Sequence, residues 1–130
     1  MHYNEAKTTM RITKTDKKWM QAAKRLAKNS LHKQFLFGAI LVKNGRVLAR
    51  ATNGKNPGKH AELRLIAKSA APAGATLYVV RVNKSSVNKA RCSKPCLTCR
   101  SKIEESGLYR VVYYDETGNI IDMIPKTNRA

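Results

Sequence analysis

Acidic residues are scarce in this chain. Over 130 residues, 8 Asp and Glu stand against 26 Lys and Arg, a formal +18 at neutral pH. A body so small and so basic is unsuited to cationic ligands and favours polyanions such as nucleic acid or free nucleotides. Cysteine is also rare. Three thiols are an odd number and too few for a disulfide scaffold, which points to a reducing, intracellular compartment, cytoplasm or nucleus. No apolar run approaches the roughly 20 residues of a membrane span, and the opening MHYNEAKTTM lacks the apolar stretch of a signal peptide, so no membrane association is expected. Aromatic residues are few (one Trp, two Phe, five Tyr), little for a platform that stacks many bases. What is present in ordinary amount is hydrophobic residues, 42% of the chain, enough to exclude wholesale disorder. The length suits one domain spanning 1–130 around one core, with 1–13 a flexible N-terminal segment.

The distribution of charge says more than its total. From Lys17 to Ile103 there are 20 basic residues and one acid, Glu62. An acid standing alone in so basic a stretch is a candidate for a chemical role. Along the chain, Trp19, Met20, Ala23, Leu26 and Ala27 recur at helical spacing, with Asp16 as the expected cap of a helix running to about Asn29. The apolar run FLFGAILV (35–42) ends at Asn44-Gly45, a strong hairpin signal, so RVLARA (46–51) should pair back on it. Residues 53–59 are a loop by composition. A helix is expected from His60 to Ala70, stopped by Pro72, and ATLYVVRV (75–82) reads as a strand buried on both faces. NKSSVNKARCSK (83–94) reads as a polar, basic loop. Pro95 suits the first turn of a helix and Gly107 its C-terminal cap. YRVVYY (109–114) and IIDMI (120–124) are strands joined by so short a turn that they must be antiparallel neighbours. The order αββαβαββ predicts an α/β fold: a five-stranded mixed sheet with packed helices.

Two short pieces carry chemistry, His60-Ala61-Glu62 and Pro95-Cys96-Leu97-Thr98-Cys99, each opening an expected helix. Cys96 and Cys99 are three apart, so on a helix their sulfurs share a face, and a helix N-terminus favours the thiolate form that binds metal. His60 would be a third ligand, leaving one tetrahedral position open, the pattern of a catalytic rather than a structural zinc site. Such a site also accounts for Glu62, because a carboxylate beside water held there can take a proton and deliver it to a leaving group. A zinc ribbon would need a fourth ligand at ribbon spacing. Only Cys92 is spare, and a ribbon leaves Glu62 unexplained.

His-x-Glu followed by Pro-Cys-x-x-Cys resembles the signature of the zinc-dependent cytidine and deoxycytidylate deaminase superfamily. The resemblance runs from about Phe37 to Ile121: FGAILVKNGRVLARATN is similar to that family's first hairpin, KHAELRLI to its first metal helix, GATLYVV to its central strand, and PCLTCRSKIEESGLYRVVYY to its second metal helix and next strand. It implies a cytidine-deaminase-like three-layer fold with helices on both faces of the sheet and the last two strands antiparallel. It implies one zinc ion per chain held by His60, Cys96 and Cys99, and Glu62 as the proton shuttle. It further implies that the Ala61 N–H holds the base carbonyl, Asn53 contacts the sugar, and Phe37 and Lys94 border the substrate. The reaction implied is hydrolytic: water replaces the exocyclic amine of the base, and ammonia leaves.

The substrate is read from charge and loop composition. Lys84, Lys89, Arg91 and Lys94 in the basic stretch before Pro95 favour cytosine in single-stranded nucleic acid, with Lys84, Lys89 and Arg91 on the phosphates. The alternative is free cytidine or deoxycytidylate, for which one or two cations suffice. Adenosine in tRNA is disfavoured by the antiparallel last pair, and a catalytically inactive nucleic-acid-binding module would have no reason to keep Glu62 with all three ligands. The partner expected is therefore a cytosine-containing nucleic acid or nucleotide, together with a possible second copy of the chain.

Overall fold

The computed structural model describes residues 12–54, 73–95, 101, 103–104 and 107–125. Its elements are helix α1 (Lys14–Ala27) and strands β1 (Phe35–Lys43), β2 (Arg46–Thr52), β3 (Thr76–Asn83), β4 (Ser86–Arg91), β5 (Arg110–Tyr114) and β6 (Ile120–Met123).

α1 begins one turn earlier than its apolar periodicity suggests. Its cap is Thr13 rather than Asp16: Thr13 Oγ1 accepts from the Asp16 N–H (3.1 Å), and Asp16 Oδ2 accepts from the Thr13 N–H (3.0 Å), a capping box. Asp16 is therefore the third helical residue, a position that frees its other oxygen for tertiary contacts. The buried stripe Met20, Ala23 and Ala27 lies on the sheet. The β1–β2 hairpin turns on Asn44 (φ 52°) and Gly45 (φ 76°), both left-handed as a two-residue turn that matches strand twist requires.

The sheet is mixed, in the order β2-β1-β3-β5-β6, with β4 also on β3. β3 runs antiparallel to β1 along its length. Its other edge is shared. Thr76–Tyr78 pair in parallel with β5, while Arg81–Asn83 pair antiparallel with β4. Among the described residues six strands therefore stand where five were expected, and the stretch 83–94 holds the turn and second strand of a hairpin rather than a loop. Polar composition hides β4. What orders it is the open edge that β5 leaves on the C-terminal half of β3. β5 and β6 are antiparallel, as the short turn between them demanded.

Both faces of the sheet are buried. On one, α1 meets Leu36, Ile40, Val80, Val82 and Val112. On the other, Leu41, Leu77, Val79 and Val111 meet Ile103 and Leu108. Ser101, Ile103 and Glu104 are helical, so helical residues lie against both faces. Gly38 lets α1 approach β1 closely, since a Cβ there would strike the Ala23 carbonyl and sit 2.6 Å from the Ala27 nitrogen.

Arg110 ties the layers together. Its Nη1 and Nη2 donate to the two oxygens of Asp16 (2.9 and 2.8 Å) and its Nε to Asp122 (3.1 Å), while the Tyr78 hydroxyl donates to Asp16 at 2.6 Å. Burial pushes the Asp16 carboxyl up, but the hydrogen bonds from Arg110, Tyr78 and Thr13 outweigh it and hold the group down at about 2. Burial and the neighbouring Asp16 both push the Tyr78 hydroxyl up. Among the described residues no helix is long and apolar enough to cross a membrane.

Candidate active site

The ends of four strands meet at one end of the sheet: the start of β1 and the C-terminal ends of β2, β3 and β5. For β3 and β5, which are parallel, this is the end where open α/β sheets bind ligands. Two polar anchors fasten the chain there. Asn53 follows β2 and is 7% exposed. Its Oδ1 accepts from the Phe37 N–H (2.9 Å) and from the Ser30 hydroxyl, and its Nδ2 donates to the Phe35 carbonyl (2.7 Å). A carboxamide nitrogen carries two hydrogens, and one of them is used among the described residues. Ser93, 1% exposed, donates to the Val79 carbonyl (2.9 Å) and accepts from the Tyr114 N–H (2.9 Å), pinning the segment before Pro95 between β3 and β5.

These anchors decide where the chain enters both motifs. Asn53 precedes the His60 motif and Ser93 the Cys96 motif, and both lie at the same sheet end. His60, Ala61, Glu62, Cys96 and Cys99 themselves lie outside the described residues. No three His, Cys, Asp or Glu side chains gather at metal-binding distance among the described residues. Cys92 is a half-buried free thiol. One imidazole and two thiols form a donor set that suits zinc and leaves a coordination position open.

The remaining expected site residues fall into two groups. Phe37 is half-buried and packs on the face of the sheet that Ile103 covers. On β4 Lys89 is exposed and Arg91 half-buried, Arg91 pairing with Arg81 of β3. Lys84 stands in the β3–β4 turn, where its N–H donates to the Gln34 carbonyl (2.9 Å), and it borders a groove of about 360 Å³ with Lys33 and Phe35. Lys94 lies elsewhere. It borders a second groove of about 260 Å³ with Tyr113, Asp115 and Glu116, beyond β3 from Asn53 and Phe37. Hydrogen bonds from Asn119 and Thr117 within that turn outweigh slight burial and hold the Asp115 carboxyl below its ordinary range.

Sequence reading missed three residues at this end: Ser30, Ser93 and Arg81. The serines give no signal outside the fold. Arg81 does, as the one charge interrupting LYVVRV, a strand otherwise apolar on both faces.

The family model for the cytidine and deoxycytidylate deaminase zinc-binding region matches residues 13–115. Among solved structures, the apo dCMP deaminase of the cyanophage S-TIM5 is 29% identical, with 79% of this chain and 84% of that chain covered at a TM-score of 0.60. The same enzyme in complex with dCMP and dUMP is 27% identical over the matched residues, at the same TM-score. Cytidine deaminase from Burkholderia pseudomallei, at 22% identity, is a likeness of fold alone, covering 84% of this chain and 91% of that chain at a TM-score of 0.60. No curated protein sequence matches the chain.

Proposed function

The chain belongs to the cytidine and deoxycytidylate deaminase zinc-binding family, and from that premise we propose that it deaminates cytosine hydrolytically, acting first of all on cytosine in single-stranded nucleic acid. His60, Cys96 and Cys99 would hold the zinc, one ion per chain. Zinc bound by three protein ligands supplies Lewis-acid activation of water near neutral pH. Glu62 takes one proton from the attacking water and passes it to the ring nitrogen, then takes the remaining proton from the hydroxyl added to the ring carbon and delivers it to the departing amine, so that cytosine and water become uracil and ammonia. The Ala61 N–H holds the base carbonyl. Asn53, held by Phe35, Phe37 and Ser30, would donate its second Nδ2 hydrogen to the sugar. Phe37 would border the base, and Lys94 would meet the substrate from its separate groove.

The observation that carries the polynucleotide reading is the β3–β4 hairpin, which presents Lys84, Lys89 and Arg91 on an ordered scaffold at the sheet end that leads into both motifs. A second reading, free deoxycytidylate, is supported by the 29% identity to a dCMP deaminase. Incubating zinc-loaded protein with cytidine, deoxycytidylate and a cytosine-containing oligonucleotide, and assaying uracil, separates the two. Uracil from the oligonucleotide alone supports the first reading, and uracil from deoxycytidylate alone the second. Glu62→Ala should lose about 10²- to 10⁴-fold in rate while keeping its zinc. No turnover of any of the three substrates would overturn the assignment.

A further inference from the structure

One face of the β3–β4 hairpin carries charge that no described residue neutralises. Arg81 and Arg91 are direct partners in the antiparallel register. Side chains so placed have Cβ atoms about 4.5–5.5 Å apart, and like charges there repel. Farther along β4, past an irregularity in the register, the Asn88 carbonyl accepts from Lys24 of α1 and its Oδ1 from Lys28, the residue that caps α1. The Nε atoms of Arg81 and Arg91 are both buried from water and have no hydrogen-bond partner among the described residues. Among the described residues the ion pairs to Asp16 and Asp122 are made by Arg110, Asp115 is held by its own turn, and Glu116 lines the separate groove beside Lys94. A guanidinium whose Nε–H is buried without an acceptor is destabilising, and an anion between two such groups held face to face would relieve both the missing acceptors and the repulsion.

The surroundings suit a phosphate. The Arg81 guanidinium lies 5.4 Å from the centroid of the Phe35 ring, a contact that orients its plane. Arg91 Nη2 donates to Ser86 Oγ at 3.3 Å, which steadies the second fork. Arg81 is also the cross-strand partner of Phe37, so the pair adjoins the sheet end where Asn53 sits. Phe35 also lines the groove bordered by Lys33 and Lys84.

We propose that Arg81 and Arg91 form a two-arginine clamp for a substrate phosphate, each fork donating to its oxygens. This rests on the reading of the substrate as a cytosine nucleotide or polynucleotide. The chemistry recognised is the phosphate oxyanion, whether the monoester of a free nucleotide or a diester of a strand beside the target base.

The test uses the full zinc-loaded chain and Arg81→Gln, Arg91→Gln and the double variant, with Arg91→Lys as the variant that keeps charge without the fork. Binding of inorganic phosphate, deoxycytidylate and a labelled twelve-residue oligodeoxycytidine is measured by calorimetry and anisotropy. Each Gln variant should bind phosphate-bearing ligands about 10- to 100-fold more weakly, and Arg91→Lys should fall between it and the parent. Relieving the repulsion should also raise Tm in anion-free buffer by about 1–4 °C. Higher stability together with weaker binding cannot come from a merely misfolded variant. Loss for the oligonucleotide alone identifies the strand diester as the ligand, and loss for deoxycytidylate as well identifies the monoester. Unchanged affinity for all three ligands overturns the clamp. If the parent deaminates nothing but the variants lose phosphate binding, the clamp stands and the deaminase reading falls. If the parent deaminates and the variants keep its preference for phosphorylated substrate over cytidine, the clamp falls alone.

Discussion

Replacing Arg110 by Met should cost this protein more than any surface charge could. The guanidinium bonds both oxygens of Asp16 and one of Asp122, and the three side chains are 12%, 4% and 1% exposed respectively. Methionine fills similar volume but leaves two buried carboxylates without their cation, a change worth about 3–5 kcal/mol. On a total stability of about 5–15 kcal/mol that is a large share, equivalent to a fall in Tm of roughly 10–20 °C. The pH dependence distinguishes lost charge pairing from lost packing. In the parent, Asp16 titrates at about 2 when folded against an ordinary 3.8. Its contribution of about 2 kcal/mol is present above pH 3.8 and lost only as pH falls toward 2. In Arg110→Met, burial is opposed only by the Tyr78 and Thr13 hydrogen bonds, and the folded carboxyl rises from about 2. That variant therefore loses less stability than the parent as pH falls below 3.8, because its folded state takes up the proton sooner. Urea unfolding at pH 7 and pH 3, followed through Trp19, whose ring centroid is 6.5 Å from that of Tyr78, measures both. The difference between parent and variant should shrink at the lower pH, and Asp16→Asn in the Arg110→Met background should restore part of the loss. A loss below about 1 kcal/mol, or the same loss at both pH values, would refute this account of the buried network.

Gly38→Ala should destabilise by about 1–3 kcal/mol in chemical denaturation, because the added methyl meets backbone atoms of α1 that cannot step aside. Asn53→Ala should cost about 2–3 kcal/mol by stripping the Phe37 N–H and Phe35 carbonyl of their partner, and should lower kcat/KM beyond what the loss of fold explains. Metal analysis of cysteine variants tests the ligand set: Cys96→Ser should lose zinc, and Cys92→Ser should keep it.

The elements legible in the sequence are those whose causes are local. Asn44-Gly45 sets the β1–β2 hairpin by itself, because only residues tolerant of positive φ make a turn whose twist matches the strands. The five-residue turn 115–119 obliges its strands to be antiparallel by covalent reach alone. The His-x-Glu and Cys-x-x-Cys spacings are likewise local, since neighbouring ligands must share one end of one element, and they carried the family likeness before any fold was known. Asp16 shows where local reading stops. Its place beside Thr13 is written in a short motif, but its main partner, Arg110, is 94 residues away.

What only the tertiary structure decided depends on register. Nothing in SVNKAR marks a strand, because its order comes from the edge of β3 that β5 leaves open. Ser93 and Asn53 are ordinary polar residues until the sheet brings strand ends beside them with backbone groups to satisfy. Arg81 and Arg91 are ten residues apart and belong to no motif. They face each other only because β4 folds back in one register, and a shift of one residue would send Arg91 to the opposite face.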